Sequence, residues 1–147
     1  GIRVGIGTDS PAASNSMDMF EEMRVGLLLQ RAVLGEDKWL PARQFVKLAT
    51  LDAARALRMD DRLGSLEPGK QADVVLIRAN DLNVQPVHDP VTSVVTQTAL
   101  SNVDTVLVAG QIKKSKGQLL EPDVGSMQMR LQESGHRIMR DLQALLH

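Results

Sequence analysis

Apolar positions recur along this chain with two distinct rhythms. Ile2, Val4 and Ile6 alternate with Arg3 and the glycines Gly5 and Gly7, the two-residue period of a short buried strand. Thr8-Asp9-Ser10-Pro11 follows, and the proline ends any sheet pairing. Asp9 is therefore expected at the C-terminal tip of a strand, where open sheets and barrels of the α/β type place their chemistry. From Phe20 the rhythm turns helical: Phe20, Met23 and Leu27 share a face, Leu28 widens it, and Gly35 marks a stop. Asn15 or Ser16 can cap this helix, with Asp18, Glu21 and Glu22 near the positive end of its dipole. Leu40-Pro41 opens a second helix that turns Phe45, Leu48 and Ala49 inward. Thr50 breaks it and caps a third helix from Asp52 to Arg58.

The second half changes character. Pro68-Gly69 has the composition of a type II turn. Ala72 to Ile77 is continuously apolar, which predicts a strand covered on both faces, with Asp73 as a buried acid that accepts backbone hydrogen bonds. Asn80 to Pro90 is a polar loop. Pro90-Val91 opens a short helix with Val91, Val94 and Val95 on one side, although the alternation Val94/Thr96/Thr98 would also suit a strand. Val103–Val108 and Gln111–Lys114 read as a hairpin turning at Ala109-Gly110, and Lys113, Lys114 and Lys116 read as protection of an exposed edge. Ser126 to Leu146 carries Met127, Leu131, Ile138, Leu142 and Leu145 on one stripe, an amphipathic helix in want of a surface to cover.

Composition narrows the possible partners. Seventeen Lys and Arg stand against 18 Asp and Glu, a net charge of −1, so nothing favours nucleic acid or an anionic membrane surface. No apolar run approaches the roughly 20 residues of a membrane span. The absence of cysteine removes disulfides and thiolate metal sites, and fits a cytoplasmic protein. Only three histidines occur, His88, His136 and His147, none in a His-x-His pair. His88, in a loop between prolines, reads as structural, and the other two as solvent-facing. Trp39 reads as the anchor of a loop.

Three blocks carry a family resemblance. They are Gly7-Thr8-Asp9 with Ser14-Asn15 and Asp18-Met19-Phe20-Glu21-Glu22-Met23-Arg24; then Gly64 to Leu76; then Val103 to Gly110. In these residues the chain resembles the amidohydrolase superfamily, in its deaminase and chlorohydrolase (triazine hydrolase-like) branch. The resemblance implies an α/β fold in three parts. Residues 1–60 would be the last strand and outer helices of a (β/α)8 metal-dependent hydrolase barrel. Residues 61–120 would form the C-terminal part of a small β-domain, and 121–147 a terminal amphipathic helix. Family members are several hundred residues long and draw their histidine ligands from earlier barrel strands, so the chain reads as the C-terminal portion of a longer enzyme, inactive alone.

The implied chemistry centres on Asp9. The matching Asp of the family binds one divalent metal, zinc or iron, and takes the proton of the water that the metal activates. Ser10, Ser14 and Asn15 line the adjoining loop, as substrate contacts or merely as turn and cap residues. The expected reaction is hydrolysis of a carbon–nitrogen or carbon–halogen bond on a small N-heterocycle, most simply deamination, in a homo-oligomer. The alternative is a structural or interaction module that keeps this end of the family without its metal centre.

Overall fold

A computed structural model describes residues 1–146, leaving the side chain of Ser14 and all of His147 outside the described residues. The chain forms α1 (Pro11–Ser14), α2 (Met19–Val33), α3 (Ala42–Ala49), α4 (Leu51–Ala56), β1 (Val74–Ile77), α5 (Pro90–Thr96), β2 (Val103–Val108), β3 (Gln111–Ser115), β4 (Gln118–Leu119) and α6 (Val124–Leu145). Single 3-10 turns at Glu36–Lys38 and Leu100–Asn102 lead into α3 and β2. The class is mixed α/β, with an antiparallel sheet in the order β1-β2-β3-β4.

Helices α2, α3 and α5 share one core of Met23, Leu27, Ala42, Phe45 and Val95, with Ile6, Phe20, Val46, Leu48, Ala49 and Val94 packed around it. Each fully buried side chain of this size contributes about 1.5–3 kcal/mol. Burial of Val95, with no exposed surface, draws α5 onto helices far earlier in the chain, α2 ending at Val33 and α3 at Ala49. Arg24 fastens the same joint: its guanidinium donates to the carbonyls of Val95 at 3.2 Å and Thr98 at 2.5 Å, which the end of α5 leaves without helical donors.

The sheet is joined to this core through a polar knot. Asn102, 2% exposed, donates its amide to Asp81 at 2.7 Å and Asn83 at 3.0 Å, and its oxygen accepts from Asn83 and from the Ala99 N–H, both at 2.9 Å. The Asn102 amide bond to Asp81, and then the Arg78 guanidinium at 3.2 Å, hold the Asp81 carboxyl below its ordinary value. A buried amide with all its partners present specifies one arrangement, because any other leaves a polar group unpaired.

The hairpin forms as expected, with Leu107 opposite Ile112. Ala109 (φ 49°) and Gly110 (φ 79°) both take left-handed conformations, which makes a type I′ turn. Alanine adopts that region at a cost, and the neighbouring strand holds it there. Asp73 accepts the Ala109 N–H at 2.6 Å, and the Ala72 carbonyl accepts the Gly110 N–H at 3.0 Å. The Pro68-Gly69 turn also appears, with Gly69 at φ 91° and the Lys70 N–H on the Glu67 carbonyl. Trp39 anchors its loop by donating to the Leu34 carbonyl at 3.2 Å, under the Arg31 guanidinium.

Several expectations need correction. Residues 1–10 form no paired strand among the described residues: the Ile6 N–H bonds the Leu48 carbonyl at 3.0 Å, not a sheet ladder. The cap of α2 is Asp18, not Asn15 or Ser16; its carboxylate accepts from Phe20 N–H at 2.8 Å and Glu21 N–H at 3.5 Å. Leu28 is 57% exposed, because α3 and α5 cover only a narrow arc of α2. Thr50 breaks α3, but its hydroxyl turns back to the Val46 carbonyl at 2.7 Å and does not cap α4, which ends at Ala56. Strand β1 is not covered on both faces, since Val75 and Leu76 are half exposed, and Asp73 is exposed too. Strand β3 is not a free edge throughout: its basic end pairs with β4, Lys114 opposite Leu119.

Candidate active-site loop

Segment 1–10 lies along the helical layer, seated by the Ile6–Leu48 bond and by the Arg3 guanidinium, which donates to the Arg55 carbonyl at 3.1 Å. It delivers Asp9 to an exposed position at the start of a tight loop. Asp9 itself is left-handed (φ 55°), a region that Asp tolerates better than most residues. One helical turn follows, with the Ala13 N–H on the Ser10 carbonyl and the Asn15 N–H on the Pro11 carbonyl, both at 2.9 Å. Asn15, again left-handed (φ 59°), reverses the chain out of that turn. The loop is thus bracketed by two left-handed residues, one of them the candidate catalytic group.

Of the predicted site residues, Asp9, Ser10 and Asn15 all lie exposed on this loop. Ser14 closes its helical turn through the backbone, and its side chain lies outside the described residues. His88 and His136 are exposed, each on a different part of the chain, and His147 lies outside the described residues.

Where the loop enters α2, an arrangement appears that the sequence reading missed. Ser16 accepts the Asp18 N–H at 3.2 Å and donates its hydroxyl to Glu21 at 2.8 Å. Asp18 and Glu21 have the spacing of a capping box, in which the glutamate would reach back to the backbone of the cap residue. Here the Ser16 hydroxyl stands between the two, so the box reaches one step further into the loop. The signal lies in Ser16-x-Asp18-x-x-Glu21, a pattern that by itself offers a choice of caps and does not distinguish a relay.

Asp9 suits one oxygen donor to a divalent cation. A zinc site takes three or four protein ligands, and among the described residues no three His, Cys, Asp or Glu side chains come together to hold a metal ion. The described residues do not make a metal centre by themselves.

Known proteins cover the same ground. A 5-methylthioadenosine/S-adenosylhomocysteine deaminase of Teredinibacter turnerae is 44% identical over 117 residues, 79% of this chain and 26% of the relative. The enzyme of that name from Desulforudis audaxviator is 37% identical over 142 residues, 97% of this chain and 33% of its own length. An adenosine deaminase from Xanthomonas campestris, solved with bound zinc, superimposes at a TM-score of 0.89 and 34% identity over 94% of this chain and 31% of its own. An atrazine chlorohydrolase from Arthrobacter aurescens TC1, complexed with zinc, does so at 0.81 and 28% identity over 88% and 29%. The chain therefore spans about a third or less of these relatives. The Amidohydrolase family profile takes in residues 1–113, from the Asp9 segment into β3, and with it this chain belongs to the amidohydrolase family.

Proposed function

We propose that the whole protein is a metal-dependent hydrolase that removes the amino group from an N-heterocycle, and that Asp9 serves it as a metal ligand and as the base. The observation that carries this reading is the exposed Asp9 at the head of its loop, inside the region matched to the family. Relatives named as deaminases of 5-methylthioadenosine and S-adenosylhomocysteine make adenine nucleosides with a 5′ thioether the first substrates to try. In the reaction one water adds to the ring carbon, ammonia departs, and a ring carbonyl remains.

Similar structures hold zinc, and a zinc or iron ion with ligands from outside this chain is the cofactor of this proposal. Such an ion, when bound, makes a water acidic enough to act as a nucleophile near neutral pH. Asp9 would offer one oxygen to the ion and use the other to take a proton. The loop after it, Ser10 to Asn15, would form part of the substrate wall, and barrel architecture, a homo-oligomeric state and a cytoplasmic location belong to the same proposal.

The test is ammonia release by the full-length protein from 5-methylthioadenosine and from S-adenosylhomocysteine. Asp9→Asn keeps a ligand oxygen and removes the base, so turnover should fall by about a hundredfold or more while metal content falls less. Near-normal turnover in that variant would reject the assignment. Chloride release from a chlorinated triazine, without ammonia release from nucleosides, would favour the dechlorinating reading that the similarity to atrazine chlorohydrolase supports. Neither activity in the metal-loaded protein would leave the non-catalytic module.

A further inference from the structure

Exposed loops of small residues are mobile unless something ties them down. Ser10, Pro11, Ala12, Ala13 and Asn15 are all exposed, and none lies in the buried core. The entrance of the loop is held through the seated segment before Asp9. Its exit is held by α2, and α2 is firmly placed: Met23 and Leu27 are buried, and Arg24 is fastened to the end of α5. The only step from loop to helix is residues 15–18, and there Ser16 bridges the Asp18 N–H and the Glu21 carboxylate.

We propose that Ser16 and Glu21 are positioning residues for substrate: together they tie the Ser10–Asn15 loop to the first turn of α2 and so preset the wall beside Asp9. The proposal rests on the reading of Asp9 as the catalytic group. A preset loop does not change the reacting atoms. It spares substrate the entropy of ordering the wall, so the tie acts on affinity more than on the chemical step. Glu21 acts through its bond with the Ser16 hydroxyl, so its loss adds little once that hydroxyl is gone.

The experiment uses the full-length protein with 5-methylthioadenosine. Ser16→Ala should raise KM about five- to tenfold, the net worth of one ordinary hydrogen bond, while leaving kcat within about twofold. Glu21→Ala should raise KM by no more than this, and the double variant should be no worse than Ser16→Ala alone. Ser16→Thr keeps the hydroxyl and should restore KM. A lowered melting temperature with unchanged KM in Ser16→Ala would show a merely structural cap and overturn the proposal. Additive losses in the double variant, or no rescue by threonine, would do so as well. Asp9→Asn separates the two readings. If it is inactive and Ser16→Ala leaves KM unchanged, only the tie fails; if it is fully active, the reading of Asp9 fails.

Discussion

A Cβ built on Gly5 would lie 2.7 Å from the Cα of Ala53 and 2.8 Å from its Cβ, closer than real side chains approach. Glycine at position 5 therefore lets the segment before Asp9 lie flat on helix α4. The neighbouring Ile6 N–H to Leu48 carbonyl bond depends on the same close approach. Gly5→Ala must lift the segment or push α4, and overpacking of this kind costs about 1–3 kcal/mol. We expect a denaturation midpoint lowered to match, and reduced turnover in the full-length protein, because Asp9 lies four residues further on. An unchanged midpoint would show that the segment has room to spare.

Residues 1–147 alone should bind zinc weakly. One carboxylate at Asp9, with no second donor cluster among the described residues, falls short of the three or four ligands that zinc needs. Elemental analysis after dialysis is the check. Stoichiometric zinc would contradict this and direct attention to His88.

What could be read in the sequence was whatever is encoded locally. The Pro68-Gly69 turn, the Ala109-Gly110 hairpin and the proline-led helix α5 each follow from a few adjacent residues, and each is present. Asp73 shows the limit. Its role as acceptor for backbone amides was legible, but its partner, Ala109, lies 36 residues away and its exposure depends on what the sheet packs against. Segment 1–10 failed as a strand for the same reason, because a ladder needs a neighbour and sequence alone names none. Asp9 was singled out as a candidate by its place before Pro11 and by the family resemblance. The Ser16–Glu21 tie escaped because three capping side chains within six residues admit several arrangements, and only coordinates choose among them.

Acid should loosen α5 through its cap. The Asp89 carboxylate accepts from the Thr92 hydroxyl at 2.5 Å, the Thr92 N–H at 3.1 Å and the Val91 N–H at 3.3 Å. The Thr92 hydroxyl is the main reason that its pKa lies below the ordinary value; partial desolvation opposes it, and the two backbone donors and the Arg43 charge add to it. A pKa lower in the folded state means that the stabilisation is fully present above the unfolded value, near pH 4, and is lost as pH falls through the folded one. Asp89→Asn should be less stable than the parent at pH 7 and should lose less on acidification from about pH 5 to about pH 3. Thermal melts across that range are the measurement, and parallel curves for the two proteins would remove Asp89 from the account.

The final prediction concerns helix α6, which buries none of its residues. Leu131 is 74% exposed, Ile138 59% and Leu145 83%, and with Met127 and Leu142 they lie along one stripe. Soluble monomers rarely leave contiguous apolar patches beyond a few hundred Å² open to water. Each such side chain gains about 1.5–3 kcal/mol on burial, so several together outweigh the cost of bringing two molecules together at micromolar concentration. Residues 1–147 purified alone should therefore self-associate, and light scattering should report a mass above that of the 16.0 kDa chain. Replacing Leu131 and Ile138 with glutamate should reduce the association without unfolding the core, since neither touches the Met23–Leu27–Phe45–Val95 cluster. A monomeric parent chain, with α6 resistant to protease, would mean that the helix folds back on its own molecule and that the open stripe is not its resting state.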